Sequence, residues 1–169
     1  MDLEKYMRAA LELAREAAEM GEVPVGCVVF DEAGEIIGRG RNRCEELPDA
    51  CAHAETEAIR AACAARGSWN LSGCGLAVTL EPCPMCAGAI INARIPRVVF
   101  GAPDPKAGSC GSVTDLFALP YNHRPACEGG VLEEGCAQLL RDFFRALRLA
   151  PPKPRWKPAV LPAQGGDHA

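Results

Sequence analysis

No run of eighteen or more apolar residues occurs in this 169-residue chain, so no membrane-spanning helix is expected. The first residues, Met1-Asp2-Leu3-Glu4-Lys5, mix acid and base where a secretory signal would carry an apolar core, which points to a cytoplasmic location. Internal repeats are absent, which excludes a repeat architecture. An excess of positive charge is also missing. Lys and Arg number 18 against 22 Asp and Glu, a formal net charge of −4, so any nucleic-acid contact must come from a local patch rather than a global field.

Cysteine, by contrast, is plentiful. Ten cysteines in a small secreted chain would suggest a disulfide scaffold. The length, the missing signal core and the 49% apolar content argue for an ordinary hydrophobic core instead. Cys27, in an apolar run, and Cys63, in an Ala-rich stretch, read as buried thiols. Cys44, Cys51, Cys74, Cys110, Cys127 and Cys136 follow no interpretable spacing.

Apolar periodicity predicts an amphipathic helix over residues 2–20, ended by Gly21. Val23 to Phe30 reads as a strand, Asp31-Glu32-Ala33-Gly34 as a turn, and Glu35 to Asn42 as the returning strand of a hairpin. Residues 45–50 form a loop, 53–66 a second helix, and Leu76 to Leu80 a strand. Pro84 suits the first turn of a helix running to about Ala93. A short strand over Arg97 to Phe100, a helical turn near 112–118, a strand ending near Val131 and a last helix over 133–149 complete the pattern. Alternating helices and strands imply a three-layer α/β/α domain over residues 1–150, with a central five-stranded sheet that the hairpin makes mixed. Residues 151–169 hold five prolines and little periodicity, and read as a flexible tail.

Two short motifs carry the chemistry. His53-Ala54-Glu55 and, about thirty residues later, Pro82-Cys83-Pro84-Met85-Cys86 supply an imidazole, two thiols and a carboxylate. Three of these can hold Zn²⁺, and three protein ligands leave a fourth position open, as catalytic zinc requires. Cys83 and Cys86 fall at a predicted helix N-terminus, where the partial positive charge favours the thiolate that binds metal. Glu55, two residues past His53, need not point where His53 points. That offset suits a carboxylate that takes a proton from water and later protonates a departing amine. Two plainer readings compete: a C-x-x-C redox pair, and a closed structural zinc site with Cys51 or Cys44 as fourth ligand.

The pattern H-x-E…P-C-x-x-C marks zinc nucleobase deaminases. Longer stretches narrow the resemblance. They are Glu22-Val23-Pro24-Val25-Gly26, Gly40-Arg41-Asn42-Arg43, Thr79-Leu80-Glu81 running into the cysteine motif and on to Ala89, Arg97-Val98-Val99-Phe100-Gly101, Asn122-His123-Arg124 and Asp142-Phe143-Phe144. Over nearly all of residues 1–149 the chain resembles the bacterial tRNA-specific adenosine deaminases, which have a cytidine deaminase-like fold. The resemblance implies conversion of the wobble adenosine of a tRNA anticodon stem-loop to inosine. It implies one Zn²⁺ per subunit on His53, Cys83 and Cys86, with Glu55 as proton carrier. Asn42 would bond the target base, Val25 and Ala54 would line its pocket, Asp104 and Lys106 would lie near flanking nucleotides, and Phe143 and Phe144 near the loop. A homodimer would complete the RNA site. Pro103 stands where the family usually has a basic residue, which removes one expected contact.

The residues alone leave alternatives open. Asn42 also suits a turn, and His123 a core or loop position as well as a substrate contact. Phe143 and Phe144 cannot both face the core. Arg141, Arg145 and Arg148 share a helical face, followed by Lys153, Arg155 and Lys157; they read as a solvated face or as a phosphate grip. A deaminase of free guanine, cytosine or nucleotides, and a non-catalytic zinc module, are the rival functions.

Overall fold

The computed structural model describes residues 2–152. Helix α1 spans Leu3–Glu19, and its N-cap Asp2 accepts a hydrogen bond from the Lys5 N–H at 3.2 Å. Strands β1 (Gly26–Phe30) and β2 (Ile36–Arg41) form the expected hairpin. Then come α2 (Ala54–Arg66), β3 (Gly75–Leu80), α3 (Pro84–Asn92), β4 (Arg97–Ala102), a 3₁₀ turn (Leu116–Ala118), β5 (Ala126–Glu128) and α4 (Glu133–Leu149). The five strands make one mixed sheet in the order β2-β1-β3-β4-β5. β1 is antiparallel to both neighbours, while β3, β4 and β5 are mutually parallel.

Several boundaries differ from the sequence expectation, three of them for a clear local reason. β1 begins at Gly26, not Val23, because Pro24 has no N–H and the Val25 N–H turns back to the Val23 carbonyl at 2.8 Å. The helical turn near 112–118 shrinks to Leu116–Ala118, capped by Asp115, whose side chain accepts from the Phe117 and Ala118 N–H groups. β5 ends at Glu128 rather than near Val131, since Gly129 and Gly130 (φ +90°) turn the chain toward α4. Cys27 is fully buried, but Cys63 is only half-buried. The Pro-rich tail lies outside the described residues apart from Pro151 and Pro152, as do Lys153, Arg155 and Lys157.

Alternation along the strands gives each face of the sheet its own core. Cys27, Val29, Leu76, Val78 and Val98 pack with α2 and α3. Val28, Phe30, Ala77 and Val99 point the other way, toward α1 and α4. There Tyr6 stacks on Phe30 with ring centroids 3.8 Å apart, and its hydroxyl donates to the Gly34 carbonyl at 3.0 Å.

Direction then fixes where function sits. β2, β3 and β4 all end at the same edge of the sheet, and β1 starts there. The N-termini of α2 and α3 therefore meet at one edge. Open α/β sheets place their sites at such carboxyl edges. α2 comes unusually close to β2 because β2 has glycines where it crosses. A Cβ on Gly40 would lie 2.2 Å from the Ala54 carbonyl oxygen, and one on Gly38 would lie 2.3 Å from that of Ala58.

Candidate active site

Each of these two helices begins with a prospective ligand. His53 is the N-cap of α2 and Cys83 the N-cap of α3, and neither side chain makes the usual capping bond. The Thr56 hydroxyl instead bonds the His53 carbonyl at 2.9 Å, fixing the backbone and leaving the imidazole free. Pro84 occupies the first turn of α3 and puts Cys86 one turn beyond Cys83.

The His53 Nδ1 lies 3.6 Å from the Cys83 Sγ and 3.5 Å from the Cys86 Sγ. All three donor atoms fall within 4.8 Å of one another. Tetrahedral zinc, with Zn–S near 2.3 Å and Zn–N of about 2.0–2.1 Å, requires an N···S edge of about 3.6 Å. The cluster therefore fits Zn²⁺ in donor type and in spacing. Cys44, one candidate fourth ligand, directs its thiol elsewhere, to the Asn42 Oδ1 at 3.2 Å and the Ala52 carbonyl at 3.7 Å. Cys51, the other, is exposed and outside the cluster. Among the described residues the donor set is three, which suits a catalytic site better than a closed structural one.

The electrostatics agree with that reading. The hydrogen bond from Cys86, joined by one from His53, outweighs burial and holds the Cys83 thiol down at about 4. The same bond and burial push the Cys86 thiol up. Cys83 in turn raises His53. Glu55, only 4% exposed, is pushed up to about 7, chiefly by burial. A carboxyl near neutrality can both take and give a proton under ordinary conditions.

Above these groups opens a cavity of about 370 Å³. His53, Glu55 and Cys83 line it, and so do Val25, Asn42, Ala54, Asp104 and Phe143 from the sequence-predicted set. Cys86 is buried outside the lining, and three of the expected substrate contacts also stand outside it. Lys106 is exposed on the loop beside Asp104, and its N–H bonds the Asp104 Oδ1 at 2.9 Å. Phe144 is 39% exposed and meets Phe143 edge-to-face at 5.4 Å. The His123 Nε2 lies 2.8 Å from the Ile95 carbonyl oxygen, just before β4 begins and so at the opposite end of the sheet. On α4, Arg141 bonds Glu134 and Gln138, and Arg145 lies 3.6 Å from Asp142.

Two buried acids at this edge escaped the sequence reading. Glu22, 1% exposed, accepts from the Asn42 Nδ2 at 3.3 Å and from the Glu46 N–H at 2.7 Å. Glu81, 2% exposed, accepts from the backbone of Asp104, Cys110 and Ser112 and from the Ser112 hydroxyl. Burial alone would raise the Glu81 carboxyl, but these bonds outweigh it and hold it low. Glu81 so ties the loop carrying Asp104 to the segment carrying Cys83. In sequence each acid looks like an ordinary surface charge; the signal that could have found them is their position directly against apolar motif residues, Val23 and Leu80.

Residues 1–102 match the cytidine and deoxycytidylate deaminase zinc-binding region. The tRNA-specific adenosine deaminase of Bacillus subtilis is 49% identical over 146 residues, 86% of this chain and 90% of that one. This chain belongs to the tRNA-specific adenosine deaminase family. A solved structure from a study of A-to-I editing by tRNA:A34 deaminases superposes on this chain with a TM-score of 0.78 and 46% identity, covering 80% of this chain and 99% of that one. A guanine deaminase from Nitrosomonas europaea superposes with a TM-score of 0.70 and 26% identity, covering 83% of each chain. The chain also matches a tRNA(Ile)-lysidine synthase of Deinococcus deserti, 52% identical over 86% of this chain, but spans only 27% of that longer protein.

Proposed function

We propose that this chain hydrolyses adenosine to inosine at the wobble position of tRNA anticodon loops, releasing ammonia. One observation carries the reading: a buried carboxyl beside a three-donor metal cluster, in the wall of a cavity large enough to take an extruded base. His53, Cys83 and Cys86 would hold the zinc. When bound, the metal supplies a water whose pKa falls to about 7, against 15.7 in bulk. Glu55 would take one proton from the attacking water and pass it to the ring nitrogen beside the reacting carbon, then take the proton of the newly added hydroxyl and pass it to the departing amine. The sum is adenosine plus water giving inosine plus ammonia.

The remaining site residues serve recognition. Asn42 bonds the base, and Val25 and Ala54 form the walls against it. Asp104 and Lys106 meet the flanking nucleotides, and Phe143 and Phe144 offer aromatic faces to an unpaired loop. An unpaired adenosine is cheap to extrude, so loop shape and a narrow pocket supply selectivity that a net charge of −4 does not. The chain acts as a cytoplasmic homodimer with one Zn²⁺ per subunit, and His123, remote from the cavity of its own subunit, reaches RNA through that assembly. Among the described residues no helix is long and apolar enough to cross a membrane.

The test is direct. The purified protein is incubated with an anticodon stem-loop, with and without a chelator, and separately with free guanine, cytosine and deoxycytidylate. Chelator-sensitive inosine in the RNA supports the reading. Ammonia from a free base or nucleotide, with none from RNA, moves the substrate to the rival class.

A further inference from the structure

Asn42 is more tightly held than a base-contacting residue needs to be, and the holding groups determine what it can recognise. Its side chain is 9% exposed and sits at the end of β2, where its backbone N–H bonds the Val25 carbonyl at 3.1 Å. The Nδ2 donates to the Glu22 Oε2 at 3.3 Å. The Oδ1 accepts from the Cys44 thiol at 3.2 Å. Glu22 is itself fixed, because its other oxygen receives the Glu46 N–H at 2.7 Å. Glu22, Asn42 and Cys44 all line the cavity.

A carboxamide can be turned by 180° with little change of shape, so its orientation has to be settled by its neighbours. Here they settle it. A carboxylate accepts hydrogen bonds and so requires the amide NH₂, while the thiol on the other side offers a donor and so favours the amide oxygen. Reversal would set the Oδ1 against the Glu22 carboxylate and leave a buried acceptor without a donor, which is costly. With one Nδ2 hydrogen given to Glu22 and the Cys44 thiol on the Oδ1, the donor left for a ligand is the second Nδ2 hydrogen.

We infer that Glu22 and Cys44 are positioning residues that lock the Asn42 carboxamide with an N–H donor facing the cavity, so that the site selects a base presenting a ring-nitrogen acceptor there. The inference rests on the proposed contact between Asn42 and the target base. A site committed to a donor discriminates strongly against a ligand that lacks the matching acceptor, because the buried N–H is then left unpaired.

The experiment uses the full zinc-loaded chain and anticodon stem-loops whose target is adenosine, 3-deazaadenosine or 7-deazaadenosine, each analogue replacing one ring acceptor by C–H. For the wild type, one of the two analogues is expected to lose about tenfold in kcat/KM, the order of one hydrogen bond made to a constrained donor. In Glu22→Gln, whose amide lets Asn42 turn either way, adenosine kcat/KM is expected to fall about tenfold, mainly through KM, and the penalty for that analogue to disappear. Cys44→Ser keeps a donor and is expected to lose less than Cys44→Ala. Zinc content and melting temperature separate these effects from misfolding, and should Glu22→Gln not fold, the Cys44 pair carries the test. An analogue penalty that persists in Glu22→Gln, or equal losses in Cys44→Ser and Cys44→Ala, overturns the lock. Asn42→Ala distinguishes the two levels of the argument: if it too leaves kinetics unchanged, the base contact itself is wrong, whereas an impaired Asn42→Ala beside an unaffected Glu22→Gln removes only the lock.

Discussion

The two helical layers of this domain are built on different principles. α1 and α4 cover one face of the sheet as ordinary amphipathic helices, with Met7, Ala10, Leu11 and Ala14 of α1 buried at helical spacing and its charged residues in solvent. α2 and α3 cover the other face, α2 through Ala54, Ala58 and Ala62 close to the glycines of β2, and α3 through Ala87, Ile90 and Ile91. Their starts differ as well. The N-cap of α1 spends its carboxylate on a backbone N–H, while the N-caps of α2 and α3 make no such bond and aim their side chains at each other. The starts of α2 and α3 give up a side-chain cap and set a nitrogen and two sulfurs at metal-ligand spacing.

That contrast can be broken at several points. The largest effect is expected from Glu55→Gln, in the site layer. Deamination should fall by about 10²–10⁴, the usual worth of general acid–base catalysis, while metal analysis finds zinc retained. Comparable turnover by the zinc-loaded variant would take Glu55 out of the mechanism.

Gly40→Val comes next. Its Cβ cannot coexist with the Ala54 carbonyl, so α2 must shift, with an expected loss of about 1–3 kcal/mol in denaturant unfolding and weaker zinc retention because His53 moves with the helix. If zinc binding is unchanged, the close approach of α2 to β2 does not position the ligand.

In the other layer, Asp2→Ala should cost about 0.5–2 kcal/mol through the lost cap on α1 and leave zinc content alone. Gly135→Ala on α4 is expected to stabilise by about 0.5–1 kcal/mol, since a Cβ there meets only the Leu11 Cδ1 at 3.9 Å. Zinc loss in either variant would show that the layers are coupled more closely than their packing implies.

The smallest effect is ionic and belongs to the loop beside the cavity. The Arg43 and Arg41 guanidinium groups, 3.0 and 2.9 Å from Glu46, hold its carboxyl below the usual range. A depressed carboxylate contributes stability above its unfolded value of 4.5 and loses it as pH falls through the lower folded value. Melting curves of wild type and Glu46→Gln should therefore converge below that range and differ slightly above it, less so in high salt.

Much of this protein was legible in the order of its residues. Periodicity found α1 and α4 because an amphipathic helix writes its burial pattern at 3.6 residues, and α4 has the bounds expected from Glu133 to Leu149. The zinc cluster was legible because the chemistry demands particular side chains at local spacings: His53 two residues before Glu55, and Cys83 one turn before Cys86. Strand edges were less certain, because a short apolar run does not state where its ladder of hydrogen bonds stops, as Val23 and Val131 show.

What the sequence could not state is which distant groups serve one another. Glu22 and Asn42 are twenty residues apart, and Glu81 lies 23 to 31 residues from the loop it clamps. The local pattern around each acid does not name its partners, since a charge becomes a structural group only when the chain buries it against donors from elsewhere. The sequence determined the prospective metal ligands, the carboxyl beside them and the layered fold, because those depend on residue type and near-neighbour spacing. Tertiary structure alone decided the orientation of Asn42, the anchoring of Asp104 and the distance of His123 from the cavity, because each depends on strand direction and on partners far along the chain.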